Sequence, residues 1–490
     1  MLRSVIRQLA LVGLLLLPLS LRAGETIALM HVNVVDVEAK SSDEAMRSDQ
    51  TVVVRDGKII AAGAARHVRI PCDARRVEAA GKFLIPGLYD MHVHCLFEGR
   101  PAFCFPLLVA NGVTAIRDMG GAFSKDEIQK LRDEIAARRL IAPRLAAVAG
   151  RMIDAPAPPR DGFVNVASAD EARNVAADAR ARGWDFLKAY NLLSRESYAA
   201  LVSEAARQHL AVEGHVPFSM TAEEVSNLHQ KSIEHLADLL ISVSRDEAAL
   251  RQRINVEAAS AANANWARAK VEIDAAQSYD ADKAAALFRE FARNGTWQCP
   301  TLVLKRMSGV AEVTELAGDE RLQYIPASLQ ERWRTTFTQL VVPTGSAYAR
   351  RARATASIRL VGEMARAGVK ILAGTDSPPQ PFLYPGFSLH EELRLLVEGG
   401  LTPLDALRAA TINPAQFLGE QQTRGSIAKG KVADLVLLRG NPLERIESTA
   451  QVEAVVLNGR YLERADLDRL LASAKQDRPP AASSSAGGYR

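Results

Sequence analysis

The middle of this chain alternates eight short apolar runs with longer stretches of helical spacing, and that alternation constrains the fold more than any other feature. The runs cover residues 83–94, 113–120, 144–153, 184–190, 210–216, 231–239, 296–303 and 370–377. Apolar runs separated by helical patterns are the mark of parallel strands joined by crossover helices, because parallel neighbours need long connections that also cover the sheet. Eight such units suit closure into a (β/α)8 TIM barrel, so the expected class is α/β. Residues 246–293 and 312–366, Ala- and Arg-rich with helical spacing, exceed what a crossover needs. They read either as helical insertions over the barrel mouth, where such folds keep their chemistry, or as long outer helices.

Outside this middle the pattern changes. Residues 27–37 and 51–62 are rich in Val and Ile, with Asp56-Gly57 as a turn, and residues 434–438 and 452–457 repeat that character before Asn458-Gly459. The two ends are therefore expected to pair into one small β-sandwich domain, its N-terminal part 24–82 and its C-terminal part 421–470, flanking a barrel over 83–420. Residues 471–490, with Pro479-Pro480, Ser483 to Ser485 and Gly487-Gly488, are expected to be a disordered tail.

Residues 1–23 read as a cleavable signal peptide. Arg3 and Arg7 form the basic start, Leu9 to Leu19 the apolar run, and Leu21-Arg22-Ala23 a processing site before Gly24. The run is short for a bilayer span, so a retained anchor is the rival reading and a periplasmic or secreted protein the expected one. With 490 residues, of which 48% are apolar, the rest of the chain can bury a large core. Three of the four net positive charges sit in the leader, at Arg3, Arg7 and Arg22, which leaves no basic excess for nucleic acid. The expected partner is a small-molecule substrate, taken by a monomer or homo-oligomer with no membrane attachment after leader removal. Four cysteines, Cys72, Cys95, Cys104 and Cys299, are too few for a disulfide scaffold. Cys95, next to His94, reads as a small buried residue rather than a metal ligand.

The chemistry is concentrated at the ends of the runs. His92 and His94 alternate on the first strand and share a face, so both can reach one ion, and imidazole suits zinc and similar divalent metals. Lys188 stands in an otherwise apolar run, where an unpaired ammonium is costly and needs a partner or a modification. His215, His235 and Asp376 fall at or near the C-terminal strand ends of three further runs. Each has an ordinary structural explanation taken singly, but six such residues on five strand ends that open onto one face point to a metal site. Tyr190 and Asn191, just past Lys188, and His390, Arg117 and Arg151 are candidate substrate contacts, each with a structural alternative: packing for Tyr190, a helix start for His390 and an ion pair for the two arginines.

The order H-x-H, Lys, His, His, Asp resembles the amidohydrolase superfamily. Residues 83–94 look like its strand-one motif, residues 425–436 like its return to the small β domain, and Thr411-Ile412-Asn413-Pro414-Ala415 fits as well. Within it, the chain is most similar to the imidazolonepropionase-like branch that includes metal-dependent dipeptidases of the prolidase type. The resemblance implies two divalent ions, expected to be Zn2+, bridged by a carboxylated Lys188: one held by His92, His94 and Asp376, the other by His215 and His235. It further implies an enzyme that cleaves an amide or peptide C–N bond with a metal-bound hydroxide, and the export read from the leader favours a dipeptide or N-acyl amino acid as substrate. Asp376 would take the proton of the water and pass it to the leaving nitrogen. The alternatives are a one-metal cyclic-amide hydrolase or deaminase, against which the lysine argues, and a non-catalytic barrel.

Overall fold

The computed structural model describes residues 26–156, 160–260 and 264–475, so the expected leader and residues 476–490 lie outside the described residues. Two parallel sheets form the middle of the chain. In the first, Leu88–Val93, Val113–Asp118 and Arg144–Val148 lie side by side in chain order. In the second, the order is Phe163–Asn165, Met152–Asp154, Leu187–Ala189, Val212–Gly214, Ser232–Glu234 and Trp297–Cys299. The central strands are buried from end to end, as expected where helices cover a parallel sheet.

Segment 370–377 runs between the two sheets. On one side the Leu372 amide donates to Gln298 O at 2.8 Å, and on the other the Met91 amide donates to Ala373 O at 2.9 Å and that of His94 to Ser377 O at 2.8 Å. At the opposite seam the Asp185 amide donates to Val148 O at 2.8 Å.

The third run differs from its sequence reading as a single strand. It breaks into Arg144–Val148 and Met152–Asp154 around Gly150, whose φ of +70° favours glycine. A Cβ there would lie 1.8 Å from Trp184 Nε1, so the packed indole also demands a residue without a side chain.

Both chain ends contribute to an eight-stranded sheet, as the Val- and Ile-rich pattern predicts. Its path runs Arg460–Glu463, Val452–Leu457, Leu435–Leu438, Phe83–Pro86, Ile27–Val35, Met46–Arg55, Lys58–Ala64, with Arg75–Glu78 also paired to Ile27–Val35. Ile27, Leu29, Val52, Val54, Leu435 and Val456 belong to its own apolar cluster. Phe83–Pro86 passes through Gly87 straight into Leu88–Val93, so this sheet sets the entry of the strand that carries His92. Gly87 is packed so closely that a Cβ would meet Thr114 Oγ1 at 2.2 Å.

The long connections divide between the two readings given them. Ala281–Asn294 buries Ala284, Leu287, Phe288 and Phe291 at i, i+3, i+4, i+7 spacing and packs on Ala222–Asn227 as an outer helix. Two other helices reach strand ends: from Ala264–Ala275, Arg268 Nη2 donates to Val216 O at 2.5 Å, and from Ala327–Thr336, Trp333 Nε1 donates to Pro378 O at 2.9 Å. Val216 follows His215 and Pro378 lies two residues past Asp376. The expected tail is corrected at its start, because residues 471–474 complete a helix, Arg464–Ala474, that buries Leu467, Leu470 and Ala474 against Arg100–Ala110. Its apolar spacing, and not the Pro- and Ser-rich composition further on, decides these residues.

Candidate metal centre

Five strand ends deliver the six expected side chains to one place. His92 Nε2 lies 3.4 Å and His94 Nε2 3.2 Å from Asp376 Oδ1. Lys188 Nζ lies 3.2 Å from His92 Nε2 and 3.5 Å from His94 Nε2. The His235 ring sits between those of His92 and His215, with centroids 4.5 Å and 4.9 Å away. His235 and Asp376 take left-handed backbone conformations, with φ of +60° and +63°, where their segments turn away at the rim.

Each imidazole is anchored through Nδ1. His92 Nδ1 meets Glu234 Oε2 at 2.7 Å, His94 Nδ1 meets Gly120 O at 2.7 Å, His215 Nδ1 meets Asn191 Oδ1 at 2.8 Å and His235 Nδ1 meets Thr301 Oγ1 at 2.7 Å. A carbonyl or carboxylate oxygen only accepts, so it fixes the proton on Nδ1 and leaves Nε2 as a lone-pair donor. His215 Nε2 is buried without any hydrogen-bond partner. Second partners of this kind are what orient histidines around a metal.

The electrostatics favour the ligating forms. Burial pushes the imidazoles of His92, His215 and His235 well below their ordinary value, so they are neutral at pH 7. Burial works to raise the Asp376 carboxyl, but His235, His94 and Lys188 outweigh it and hold the group below the usual carboxylate range. Burial pulls the Lys188 ammonium down to about 8, against the opposing pull of Asp376 and Glu234.

Among the described residues, two sets of three have potential metal-ligating atoms within 4.8 Å of one another: His92, His94 and Asp376, and His92, Glu234 and Cys299. The second set is already committed. Glu234 receives Arg117 Nη2 at 2.9 and 3.0 Å and Ser232 Oγ at 2.5 Å, and burial pushes the Cys299 thiol far up, away from thiolate. The first set keeps its ligating atoms free of such partners and is the better candidate for a cation.

A model of the amidohydrolase family matches residues 83–462, which takes in every one of these side chains. The chain belongs to the amidohydrolase family.

It is a metal-dependent hydrolase acting on carbon–nitrogen bonds. Ochratoxinase of Aspergillus niger is 40% identical over 92 residues, a stretch that spans 18% of this chain and 18% of that enzyme. Imidazolonepropionase of Vibrio cholerae serotype O1 is 24% identical over 403 residues, covering 79% of this chain and 86% of the relative. A crystal structure of a Xaa-Pro dipeptidase shares the fold with a TM-score of 0.63 at 20% identity, over 90% of this chain and all of the other.

In this amidohydrolase the candidate substrate contacts separate. Tyr190 stacks on His215 with centroids 4.3 Å apart, and Asn191 orients His215, so both border the centre. His390 does not. Its Nδ1 meets Thr449 Oγ1 and its Nε2 meets Asn111 O, each at 3.1 Å, so its helix turns it into a polar buried contact between elements. Arg151 is exposed, with Nη1 3.4 Å from Phe163 O. Arg117 lies fully buried beneath the centre, where Nη1 donates to Glu213 Oε2 at 2.6 Å and Nη2 holds Glu234. All four cysteines are free, and Cys95 is buried, with its amide bonded to Asp118 and its thiol beside that of Cys104.

Two further residues that shape the centre lie outside the ligand set. Asp90 ties strand one to segment 370–377, accepting from Thr375 Oγ1 at 2.7 Å and from the amides of Thr375 and His92 at 3.1 and 3.2 Å. Glu234 adjoins His235 in sequence yet supports His92. Its signal was a buried-strand carboxylate, which needs a cation partner.

Proposed function

We propose that this amidohydrolase is an exported enzyme that cleaves the amide bond of a dipeptide or N-acyl amino acid, using two divalent cations, Zn2+ by preference. One observation carries the reading: four imidazoles tied down through Nδ1 surround Lys188 and Asp376, and a buried nitrogen, His215 Nε2, has no hydrogen-bond partner. A neutral imidazole lone pair with no hydrogen to accept fits a cation.

In this reading His92, His94 and Asp376 would hold one cation and His215 and His235 the other, and Lys188, once carboxylated by carbon dioxide, would supply an anionic ligand between them. Burial of Lys188 supports the modification, because the neutral amine is the form that attacks carbon dioxide and the ammonium is already weakened to about 8. Bound there, divalent cations lower the pKa of water and polarise a carbonyl. The residues do the rest. Asp376, held ionised by its neighbours, accepts the proton of the attacking water at a carboxylate oxygen and delivers it to the leaving nitrogen. Tyr190 and Asn191 keep His215 in place and line the approach to it.

The architecture that goes with this is a closed (β/α)8 barrel over 83–420, with the small β domain built from 24–82 and 421–470. The hydrogen bonds of segment 370–377 to strands on both sides support closure. The basic and apolar pattern of residues 1–23 supports a cleaved leader and a periplasmic or secreted enzyme; among the described residues no helix is long and apolar enough to cross a membrane.

A one-metal cyclic-amide hydrolase is the second reading, favoured by the compact triad His92, His94 and Asp376 and by the likeness to imidazolonepropionase. Metal analysis of enzyme purified without chelators, joined to a screen of dipeptides, N-acyl amino acids and cyclic amides, separates the two. Two ions per chain with linear amide cleavage supports the first reading, and one ion with ring opening the second. A chain that holds no metal removes both.

A further inference from the structure

Arg268 brings a buried positive charge to the edge of the centre. It rides on Ala264–Ala275, is 7% exposed, and lies with its guanidinium 4.6 Å from the ring centre of Phe218. Its Nη2 donates to Val216 O, directly after His215, and it acts through space on His215 itself and on Tyr190.

The surroundings do not neutralise it. Among the described residues no carboxylate is in ion-pair contact with Arg268, and its Nε is buried without a partner. The two carboxylates that pull on it through space are spent elsewhere. Asp238 is gripped by Arg251 at 3.0 and 2.9 Å, and Glu272, one helical turn from Arg268, is shared at 3.1 Å by Lys305 and Arg353, both buried. Lys305 and Arg353 thus bring two positive charges to one negative, and Arg268 adds a third cation. A guanidinium enclosed in protein with an unused N–H and no counter-ion is costly unless an anion joins it.

The cations named at the sequence level do not offer this. Arg117 is compensated by Glu213 and Glu234, and Arg151 is exposed. We propose that Arg268 is a specificity-determining residue that receives a substrate carboxylate beside His215, so that the enzyme selects substrates bearing a free carboxylate close to the scissile amide. The inference rests on the amide-hydrolase reading and deepens it, since it names which member of each acid and amide pair is bound.

The test compares N-acetyl amino acids with the corresponding N-acetyl amino acid amides on metal-loaded enzyme, and titrates each into wild-type protein by calorimetry. The expected result is a preference for the acid of about 10- to 100-fold, set by one charge-assisted contact. In Arg268→Gln that preference collapses, chiefly in KM and in the inhibition constant of the acid, while metal content stays at the wild-type level; Arg268→Lys keeps part of it. Equal binding of acid and amide by the wild type overturns the proposal without any variant, and so does an Arg268→Gln protein that keeps its metal and its full preference for the acid. A wild type that holds no metal instead overturns the amide-hydrolase reading, so the two failures are distinguishable.

Discussion

His92 Nδ1 and Glu234 Oε2 are 2.7 Å apart, and the same Glu234 carboxylate takes both Nη2 contacts of Arg117. A metal-ligand candidate is thereby connected to a buried ion pair in the strand layer beneath it. Glu234→Gln keeps an acceptor for His92 but removes the charge opposite Arg117. Metal affinity should fall about 10- to 100-fold, and the metal-free variant should lose about 3 kcal/mol or more of unfolding free energy. Equilibrium dialysis and denaturant unfolding read the two effects separately, and unchanged values for both would show that Glu234 supports nothing.

Lys188 tests the bridge. Lys188→Ala should retain at most one ion per chain and lose more than about 100-fold in kcat/KM. The modification also predicts a pH effect: with the ammonium held near 8, the amine that attacks carbon dioxide grows as pH rises, so at equal dissolved carbon dioxide metal-free enzyme should be reactivated faster at pH 8.5 than at pH 6.5. Full activity and two ions in the Ala variant would reject the carbamate.

His390 gives a stability signature away from the centre. Burial lowers its imidazole to about 4, whereas in the unfolded chain it titrates near 6.5. Between those values the unfolded state gains a proton that the folded state refuses, so the contribution is whole above pH 6.5 and is lost as pH falls towards 4, about 3 kcal/mol in all. Unfolding of the metal-free protein followed from pH 7 to 4 should show this loss, with His92, His215 and His235 adding to it in the same direction. His390→Gln should flatten the curve by its own share. An acid limb identical to that of the wild type would refute the assignment.

The six candidate ligands were legible because their chemistry contradicts their surroundings: histidines, a lysine and an aspartate ending apolar runs have few structural uses in such a pattern. Their supports were not. Arg117 meets Glu213 and Glu234 from 96 and 117 residues away, and no local pattern specifies such pairs. His94 and His390 are oriented partly by carbonyl oxygens, which leave no trace in residue identity. His390 was misplaced because proximity in sequence to the last run says nothing about which way Phe387–Glu398 presents it. Arg268 lay inside a stretch read only as helical, since its meaning depends on Val216 O and on the lack of a counter-ion.

Lys82 and Glu453 form an ion pair at 2.7 Å across 371 residues of chain, next to the pairing of Phe83–Pro86 with Leu435–Leu438. The strand leading to His92 therefore waits for its neighbour until about 350 further residues have been made, which makes the small sheet a late and slow event in folding. Nascent chains cut before residue 435 would leave that edge open to pairing with other chains, so shortened products of this gene should accumulate as aggregates rather than as partly active enzyme.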